Sequence, residues 1–483
     1  MDSQTSKSYM APLKNKLEEG TFIVGSIGAG YVGAITSIIL AARQPNLKII
    51  VCDVMQEQIN KWNEGRFPFY EPDLEKYYDI AVNVNKNITF TVDVGNCIDQ
   101  SDALFICVNT PPKVDSDAVL GKEADMTYFD AAIRNISNYG NPEKHKILIE
   151  KSTVPVGTYK RINSLLGEKI QNPEACFTIV NMPEFLAEGL AVQRLLNPDR
   201  IVIGTTEDLN GQEAFEVIKG LYTNTETLFL KLRTPSSELA KLFINGMLAQ
   251  RVTSMNSMTY LCEKFGGSIQ EVQRMTGSDP RIGPLWLQAS PGFGGSCFEK
   301  DILSLIYIFE SEGQQAQALY WKALLNMNDA QKHRILDMII SEFPEPESTT
   351  LTLFGFAFKK NTSDTRLTAI AYIANGLIHK GYHVKIHDPK VTERSFHFEM
   401  EVQGFNIVEK TNYEFCGSDY RKAVSGSSAI IIGTEWDEYN ELNYNELITL
   451  MDGDKKNLYD FRSYVDVQQI QQAGFSKVFK LGN

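Results

Sequence analysis

The sequence predicts an α/β chain of two Rossmann-like, doubly wound domains joined by a long central helix. Three observations predict it. Short apolar runs closed by glycine or an acidic residue alternate with helical patterns between Thr21 and Leu232, the signature of a parallel sheet covered by helices. The same alternation restarts after Pro344-Glu-Pro-Glu-Ser-Thr349, which has the composition of a linker. Between the two, one helical pattern runs from Glu238 to about Lys264 and stops at Gly266-Gly267.

Met1 to Gly20 is polar and is expected to be a disordered or surface-bound extension. Thr21 to Ile27 is an apolar run ending at Gly28, Ala34 to Arg43 has helical character, and Leu47 to Asp53 is a second buried strand. Ala103 to Val108, Lys146 to Glu150, Phe177 to Asn181 and Arg200 to Gly204 are further strands. Thr234 is placed to cap the central helix, with Pro235 at its first position, where a missing N–H costs nothing. In the last third, Thr350 to Gly355, His383 to Asp388, Ser428 to Gly433 and Asn457 to Asp460 are strands, and Thr368 to Lys380 is a helix. The resulting division is residues 1–20 (extension), 21–232 (first α/β domain), 233–343 (central helical domain) and 344–483 (second α/β domain). No solenoid-type repeat or low-complexity tract interrupts it.

The 483 residues are 43% hydrophobic and 22% charged, enough for two or three cores of ordinary size. No apolar run is long enough to span a bilayer, so no membrane partner is expected. A formal net charge of -13 argues against nucleic acid, which needs clustered lysine and arginine; a local basic pocket for a small anion is compatible with it. Cys52, Cys97, Cys107, Cys176, Cys262, Cys297 and Cys416 show no CxxC spacing, which points to a reducing compartment with neither a disulfide framework nor a zinc site. Met1 to Gly20 lacks the apolar core of a secretory signal, and its acids Asp2, Glu18 and Glu19 do not suit a transit peptide, so the expected location is cytoplasmic. The six histidines fall outside every motif, and no metal is expected.

Chemistry enters at Gly28-Ala29-Gly30-Tyr31-Val32-Gly33, which follows a strand and opens a helix, with Asp53 ending the next strand. The glycines serve a tight turn, close approach of a pyrophosphate and helix packing. The helix N-terminus favours phosphate, and a strand-end aspartate accepts from ribose hydroxyls while repelling a 2'-phosphate, so NAD is expected rather than NADP. Turn glycines alone are common; here the strand, helix and acid are all in place.

The second signal is Ser290-Pro-Gly-Phe-Gly-Gly-Ser-Cys-Phe-Glu-Lys-Asp301. A lone cysteine is most often a small buried hydrophobe. Cys297 differs because Ser296-Cys297-Phe298-Glu299 fits a capping box, making Cys297 the first residue of a helix and exposing its sulfur to the positive helix end. That end, with Lys300 nearby, lowers a thiol pKa from about 8.5. Gly292, Gly294 and Gly295 are expected to let a ligand come close, and Asp301 lies one turn on, on the same face. Holding an aldehyde through a second oxidation requires such a thiol; one oxidation does not.

Lys241 and Asn245 share a face of the central helix. Spacing favours a solvated stripe; the alternative is a cation and an amide aimed at a developing oxyanion. Glu184 and Glu188 form a second i, i+4 pair after a strand, read either as carboxylates at a helix N-terminus or as acids facing a ligand crevice. Lys359, Lys360, Arg366, Arg281 and Arg462 lie near strand or loop ends. Each alone is a surface charge, and each is a candidate anion ligand.

Gly28-Ala-Gly-Tyr-Val-Gly33, Val108-Asn-Thr-Pro111, Glu150-Lys-Ser-Thr-Val-Pro155, Pro183-Glu-Phe-Leu-Ala-Glu-Gly189, Ser237-Glu-Leu-Ala-Lys-Leu242, Gly292-Phe-Gly-Gly-Ser-Cys-Phe298, Gly355-Phe-Ala-Phe-Lys359 and Asp364-Thr-Arg366 together resemble the UDP-glucose/GDP-mannose dehydrogenase family. Within it they are most similar to the enzymes that act on UDP-glucose, in family order from about Thr21 to Asn483. The resemblance implies oxidation of UDP-glucose to UDP-glucuronate by two NAD without release of the aldehyde. It makes Cys297 the nucleophile that forms a thiohemiacetal and then a thioester. Lys241 and Asn245 would steady charge on the sugar C6 oxygen, Lys241 also moving a proton; Asp301 and Thr153 would place water, and Glu184 would assist hydrolysis.

By the same resemblance Phe185, Leu186, Ala187, Glu188, Lys241, Asn245, Phe293, Gly294, Phe358, Lys359 and Arg462 would hold the sugar nucleotide, and Arg281 would reach the substrate of a neighbouring subunit. Val108, Asn109, Thr110, Pro111, Ser152, Thr153, Glu188, Lys300 and Arg366 would join Gly28 to Gly33 and Asp53 around NAD. The implied assembly is a homo-oligomer, a dimer at least through the central domain, with a hexamer built as a trimer of dimers as the larger alternative. Departures are Gln58 and Gln288, where animal relatives carry arginine and lysine, and Leu367 in place of the acid usual after Asp-Thr-Arg. Two other readings are a sister enzyme acting on GDP-mannose or UDP-N-acetylmannosamine, and a non-catalytic NAD-binding scaffold; the second would not keep Cys297, Lys241, Asn245 and Asp301 together.

Overall fold

The computed structural model describes residues 8–114, 120–222, 226–407, 409–453 and 455–483. It divides into two compact units, Met1–Phe243 and Ile244–Asn483, and the division falls inside the central helix Thr234–Phe265.

In the first unit the strands are β1 (Ile23–Ile27), β2 (Lys48–Cys52), β3 (Ile88–Thr91), β4 (Ala103–Ile106), β5 (Pro112–Val114), β6 (Leu120–Ala124), β7 (Lys146–Glu150), β8 (Phe177–Asn181), β9 (Arg200–Thr205) and β10 (Leu228–Arg233). Eight form one sheet in the order β10-β9-β8-β7-β4-β1-β2-β3, and β5 pairs with β6 as a hairpin. From β3 to β8 every neighbour is parallel, with the order of strands reversing between β1 and β4, where a nucleotide crevice forms in such sheets. Side chains alternate faces as strand geometry requires. Val24, Ile49, Val51, Phe105, Ile147 and Ile149 face the core under the helix Tyr31–Arg43, while Ile27, Ile50, Leu104, Ile106 and Leu148 join Ile133 and Ile162 on the other side.

The strand–helix alternation predicts parallel strands throughout, but β9 runs antiparallel to β8, and β10 follows β9. The link from β8 to β9 contains only the six-residue helix Ala191–Leu196. That helix rises about 9 Å against about 17 Å for a five-residue strand, so it does not by itself return the chain along the sheet as a crossover helix does.

Of the expected extension, the described residues are bound to the surface. The helix Ala11–Glu18 buries Met10 and Leu13, Lys16 pairs with Asp102 at 2.5 Å, and Tyr9 stacks on His145 with ring centroids 4.8 Å apart.

In the second unit the rest of the central helix is followed by Ile269–Ser278, Phe298–Ser311 and Gln315–Glu342. Strands β11 (Thr350–Phe354), β12 (His383–His387), β13 (Tyr413–Gly417), β14 (Ala429–Ile432), β15 (Asn457–Asp460) and β16 (Lys477–Lys480) then form a parallel sheet in the order β13-β12-β11-β14-β15-β16. Its core includes Leu351, Leu353, Ile370, Ile386, Ile430 and Leu458. Both units thus carry the same six-strand winding, and the predicted fold class holds. Among the described residues no helix is long and apolar enough to cross a membrane.

Candidate active site

At the end of β1, Gly28 has φ +106, and a Cβ there would lie 2.5 Å from the Cys107 carbonyl oxygen. A Cβ on Gly33 would lie 2.1 Å from the Gly28 oxygen, so this glycine seats the helix Tyr31–Arg43 against the turn. Gly30 is the N-cap of that helix, and no described atom lies within 4 Å of where its Cβ would be. Two glycines are therefore filled from within and one faces open space at a helix N-terminus, the shape a pyrophosphate needs. Asp53 accepts the Ala29 amide at 2.8 Å and the Met55 amide at 3.0 Å, and is partly exposed. The Ala29 carbonyl is held by Trp62 Nε1 and by Gln58 Nε2 at 2.9 and 3.0 Å, so Gln58 serves the loop backbone. These residues fit a dinucleotide.

The ends of β4 and β7 are stitched together beside this loop. Ser152 Oγ donates to the Val108 carbonyl at 2.7 Å, and Thr110 Oγ1 donates to the Thr153 carbonyl at 2.6 Å. This fixes Val108-Asn109-Thr110-Pro111 against Ser152-Thr153 through backbone acceptors.

Glu184 and Glu188 do not share a helix: residues 182–187 follow an irregular path after β8. Pro183 at its start disfavours helix in the residue before it, and buried Glu71, which sequence reasoning missed, ties down its end through the Gly189 and Ala191 amides at 2.6 and 2.7 Å. Glu184 instead faces Lys151 at 2.7 Å, with the lysine side chain 1% and the glutamate 16% exposed. Burial works against the Lys151 ammonium, but the Glu184 carboxylate, together with Tyr222 and Cys107, holds the lysine pKa above its ordinary value. Lys151 belongs to the motif Glu150 to Pro155, in which the resemblance gives the lysine no role. A cleft beside the pair is lined by Phe185, Leu186, Arg200 and Tyr222. Lys241 Nζ lies 5.0 Å from the Phe185 ring centroid, a cation–π distance.

Lys241 and Asn245 are each only 7% exposed, so the solvated-stripe reading fails. Lys241 is covered at Phe185, and Asn245 Nδ2 donates to Asp301 Oδ2 at 2.6 Å. Asp301 is 1% exposed; its other oxygen has no hydrogen-bond partner among the described residues and lies 3.7 Å from Lys300 Nζ.

Cys297 is exposed and precedes Asp301 by one turn, the Asp301 amide donating to the Cys297 carbonyl at 3.0 Å. The capping box does not form. Cys297 is itself the N-cap of Phe298–Ser311, and no described side chain caps that end. Tertiary contacts decide this: the Gly295 amide donates to the Arg366 carbonyl at 2.8 Å, with Gly295 at φ +85 turning the chain before Ser296. The loop glycines also differ from expectation. A Cβ on Gly294 would lie 2.4 Å from the Leu367 oxygen, one on Gly295 2.9 Å from the Phe358 ring, and one on Gly292 3.0 Å from Asn328 Oδ1. Their space is taken by the chain itself, and Asn328 clasps Phe293 through both its amide and its carbonyl.

Leu367 has φ +52, and its amide donates at 2.7 Å to Glu399, a buried carboxylate whose pKa burial pushes up to about 7. Arg366 chelates Asp364, its Nη2 at 2.6 Å; Arg281 does the same to Asp279 at 2.6 Å and is 87% exposed. Lys360 pairs with Asp437 at 2.7 Å, and Lys359 Nζ lies 5.6 Å from the Phe358 ring centroid. Arg462 donates to the Gly433 and Phe358 carbonyls at 2.7 and 2.8 Å and faces Glu435 at 3.2 Å, bracing the strand ends.

The second sheet repeats the first sheet's device with a different outcome. Gly355 ends β11 at φ +90, and Asp388 follows β12. Asp388 is 1% exposed and accepts five donors: the amides of Phe356, Ala357, Lys390 and Val391, and Trp436 Nε1. Its acceptor capacity is spent on its own domain, whereas Asp53 has two amides and a partly open face. Among the described residues no cluster of metal-ligating side chains occurs.

A dinucleotide cradle in the first unit and, in the second, an exposed thiol one turn from a buried carboxylate are the features of an NAD-dependent dehydrogenase. Comparison with known proteins agrees: residues 23–226 match the NAD binding domain, 235–330 the central domain and 352–467 the UDP binding domain of the UDP-glucose/GDP-mannose dehydrogenase family. The chain belongs to that family. It is 37% identical over 472 residues to UDP-glucose 6-dehydrogenase 1 of Glycine max, covering 94% of this chain and 96% of the relative. Against UDP-glucose 6-dehydrogenase of Drosophila melanogaster the identity is 38% over 457 residues, covering 93% and 94%. The structure of a UDP-glucose dehydrogenase from the hyperthermophilic archaeon Pyrobaculum islandicum is similar with a TM-score of 0.80 at 26% identity, covering 95% of this chain and 98% of that one. A UDP-D-ManNAc dehydrogenase from Pyrococcus horikoshii shares the fold, with a TM-score of 0.76 at 20% identity, covering 95% and 99%.

Proposed function

We propose that this dehydrogenase oxidises UDP-glucose to UDP-glucuronate in two steps, with the sugar C6 held on Cys297 between them. The observation that carries the reading is the buried Asn245–Asp301 hydrogen bond one turn from an exposed thiol. NAD, when bound, supplies the hydride acceptor. In the first oxidation C6 loses a hydride and its hydroxyl a proton, giving an aldehyde. The Cys297 thiol adds to that carbon with its proton passing to the carbonyl oxygen, loss of a second hydride and of the hydroxyl proton leaves a thioester, and water then releases the carboxylate and frees the thiol. Lys241 and Asn245 steady negative charge on the C6 oxygen. The Asp301 oxygen that has no hydrogen-bond partner among the described residues accepts a proton or holds a water, with Thr153 as a further water ligand. Glu184, held by Lys151, activates water for hydrolysis.

The loop Gly28 to Gly33, Asp53, Val108 to Pro111, Ser152, Lys300 and Arg366 are assigned to NAD. Phe185 to Glu188, Phe293, Gly294, Phe358, Lys359 and Arg462 are assigned to the sugar nucleotide. Residues 21–232, 233–343 and 344–483 are assigned as NAD-binding, dimerisation and UDP-sugar-binding domains. Exposed Met258, Leu261, Phe265, Met275 and Leu285 favour a second copy over the central helices, with Arg281 reaching the neighbour's substrate. Seven free thiols suit a cytoplasmic location.

Relatives named UDP-glucose 6-dehydrogenase at 35–38% identity favour UDP-glucose over GDP-mannose or UDP-N-acetylmannosamine. The test is a sugar-nucleotide panel followed by NADH absorbance: two NADH per UDP-glucose consumed are expected, and no turnover of UDP-glucose overturns the assignment. Acid formation retained in Cys297→Ala would overturn the thioester.

A further inference from the structure

Glu71 lies outside every motif of the sequence and is 6% exposed. One of its oxygens takes the Tyr31 hydroxyl and the Gly189 amide, and the other takes the Ala191 amide. Tyr31 is the first residue of the helix that follows Gly30, so it sits where the cofactor cradle meets its helix. Gly189 closes the segment Phe185-Leu-Ala-Glu188 and has φ +77, a backbone state few other residues adopt. A single buried carboxylate therefore holds the start of one ligand segment and the end of another.

We propose that Glu71 is a positioning residue that makes the cradle at Tyr31 and the segment Phe185 to Glu188 order as one body, so that dinucleotide and sugar nucleotide bind with positive coupling. This rests on the assignment of the first segment to NAD and the second to the sugar nucleotide. The physical reason is linkage. The Tyr31 hydroxyl and the Gly189 amide share one acceptor oxygen, so a ligand that fixes either segment fixes that oxygen for the other. The second ligand then meets a segment whose ordering cost is already met, and the effect is reciprocal.

The test is equilibrium binding of NADH, which occupies the cofactor site without allowing turnover, to wild type, Tyr31→Phe and Glu71→Gln, with and without UDP-glucose. Tyr31→Phe removes one hydroxyl and leaves the amide hydrogen bonds of Glu71 in place, so it tests the proposal even where Glu71→Gln does not fold. Wild type is expected to bind NADH more tightly when UDP-glucose is present. In Tyr31→Phe the NADH affinity is expected to fall about three- to tenfold, the worth of one hydrogen bond, and the ratio between the two conditions to go to about one, with the melting temperature lowered by no more than about 2–4 °C. A wild-type ratio of one, or Tyr31→Phe with wild-type affinity and ratio, overturns the proposal. Failure of UDP-glucose to bind wild type overturns the substrate assignment instead, and the NADH affinity of Tyr31→Phe alone then decides the role of Glu71.

Discussion

Asn245 Nδ2 donates to Asp301 Oδ2 at 2.6 Å, and the second Asp301 oxygen is left without a hydrogen-bond partner among the described residues. An amide at position 301 can keep the first contact by turning its oxygen toward Asn245, but it then presents N–H where the carboxylate presents an acceptor. Asp301→Asn is expected to lower kcat about 100-fold or more while leaving the melting temperature unchanged. Steady-state kinetics beside a thermal melt check both.

The three glycines of the cradle separate packing from ligand approach. Gly30 has φ -76 and open space around its Cβ position. Gly30→Ala is therefore expected to melt like wild type yet bind NAD roughly tenfold more weakly, about 1.4 kcal/mol. Gly33→Ala places a methyl 2.1 Å from the Gly28 oxygen and is expected to cost about 1–3 kcal/mol of stability. Denaturant melts and NAD titration of both variants measure the contrast.

Lys151 and Glu184 form a pair with the ammonium side buried. Lys151→Met leaves a carboxylate without its partner and is expected to lose about 3 kcal/mol of stability. Adding Glu184→Gln is expected to restore part of it, because the uncompensated charge is gone. Urea melts of the single and double variants form the cycle.

Glu150 is fully buried, with Asn181 Nδ2 bonded to one oxygen at 3.0 Å. Burial, with the nearby Glu238 carboxylate, pushes its pKa up to about 8. The folded chain thus keeps a proton that the unfolded chain releases above its ordinary glutamate value, so this contribution to stability is full below that value and is lost as pH rises through about 8. Glu150→Gln stays neutral and still accepts from Asn181. Its melting temperature is expected to fall less between pH 5 and 9 than that of wild type, a comparison made by scanning both across about that range.

What was legible in the sequence follows burial. β7, β8 and β15 are buried along their whole length and were readable as apolar runs to the residue. β3, β10, β13 and β16 escaped because each sits at a sheet edge with half-exposed side chains, as in Leu228–Arg233 and Lys477–Lys480. The cradle and the cysteine loop were visible because local geometry demands glycine. Glu71, Lys151 and Glu399 were not, because their partners lie far along the chain: Glu71 meets Gly189, and Glu399 meets Leu367. The capping box at Ser296 shows the reverse error, where a valid local signal yields to the contact between Gly295 and Arg366.

The burial of Asp388 bears on the timing of the reaction. The second sheet has the winding of the first, yet its acid is consumed by four amides and an indole, which leaves the cradle at Gly28 as the dinucleotide loop. Removing two hydrides from one carbon then requires the spent coenzyme to depart and a fresh one to arrive midway through each cycle. In the proposed mechanism the bond to Cys297 would let the sugar wait, and the lifetime of that bond would have to exceed the time the exchange takes.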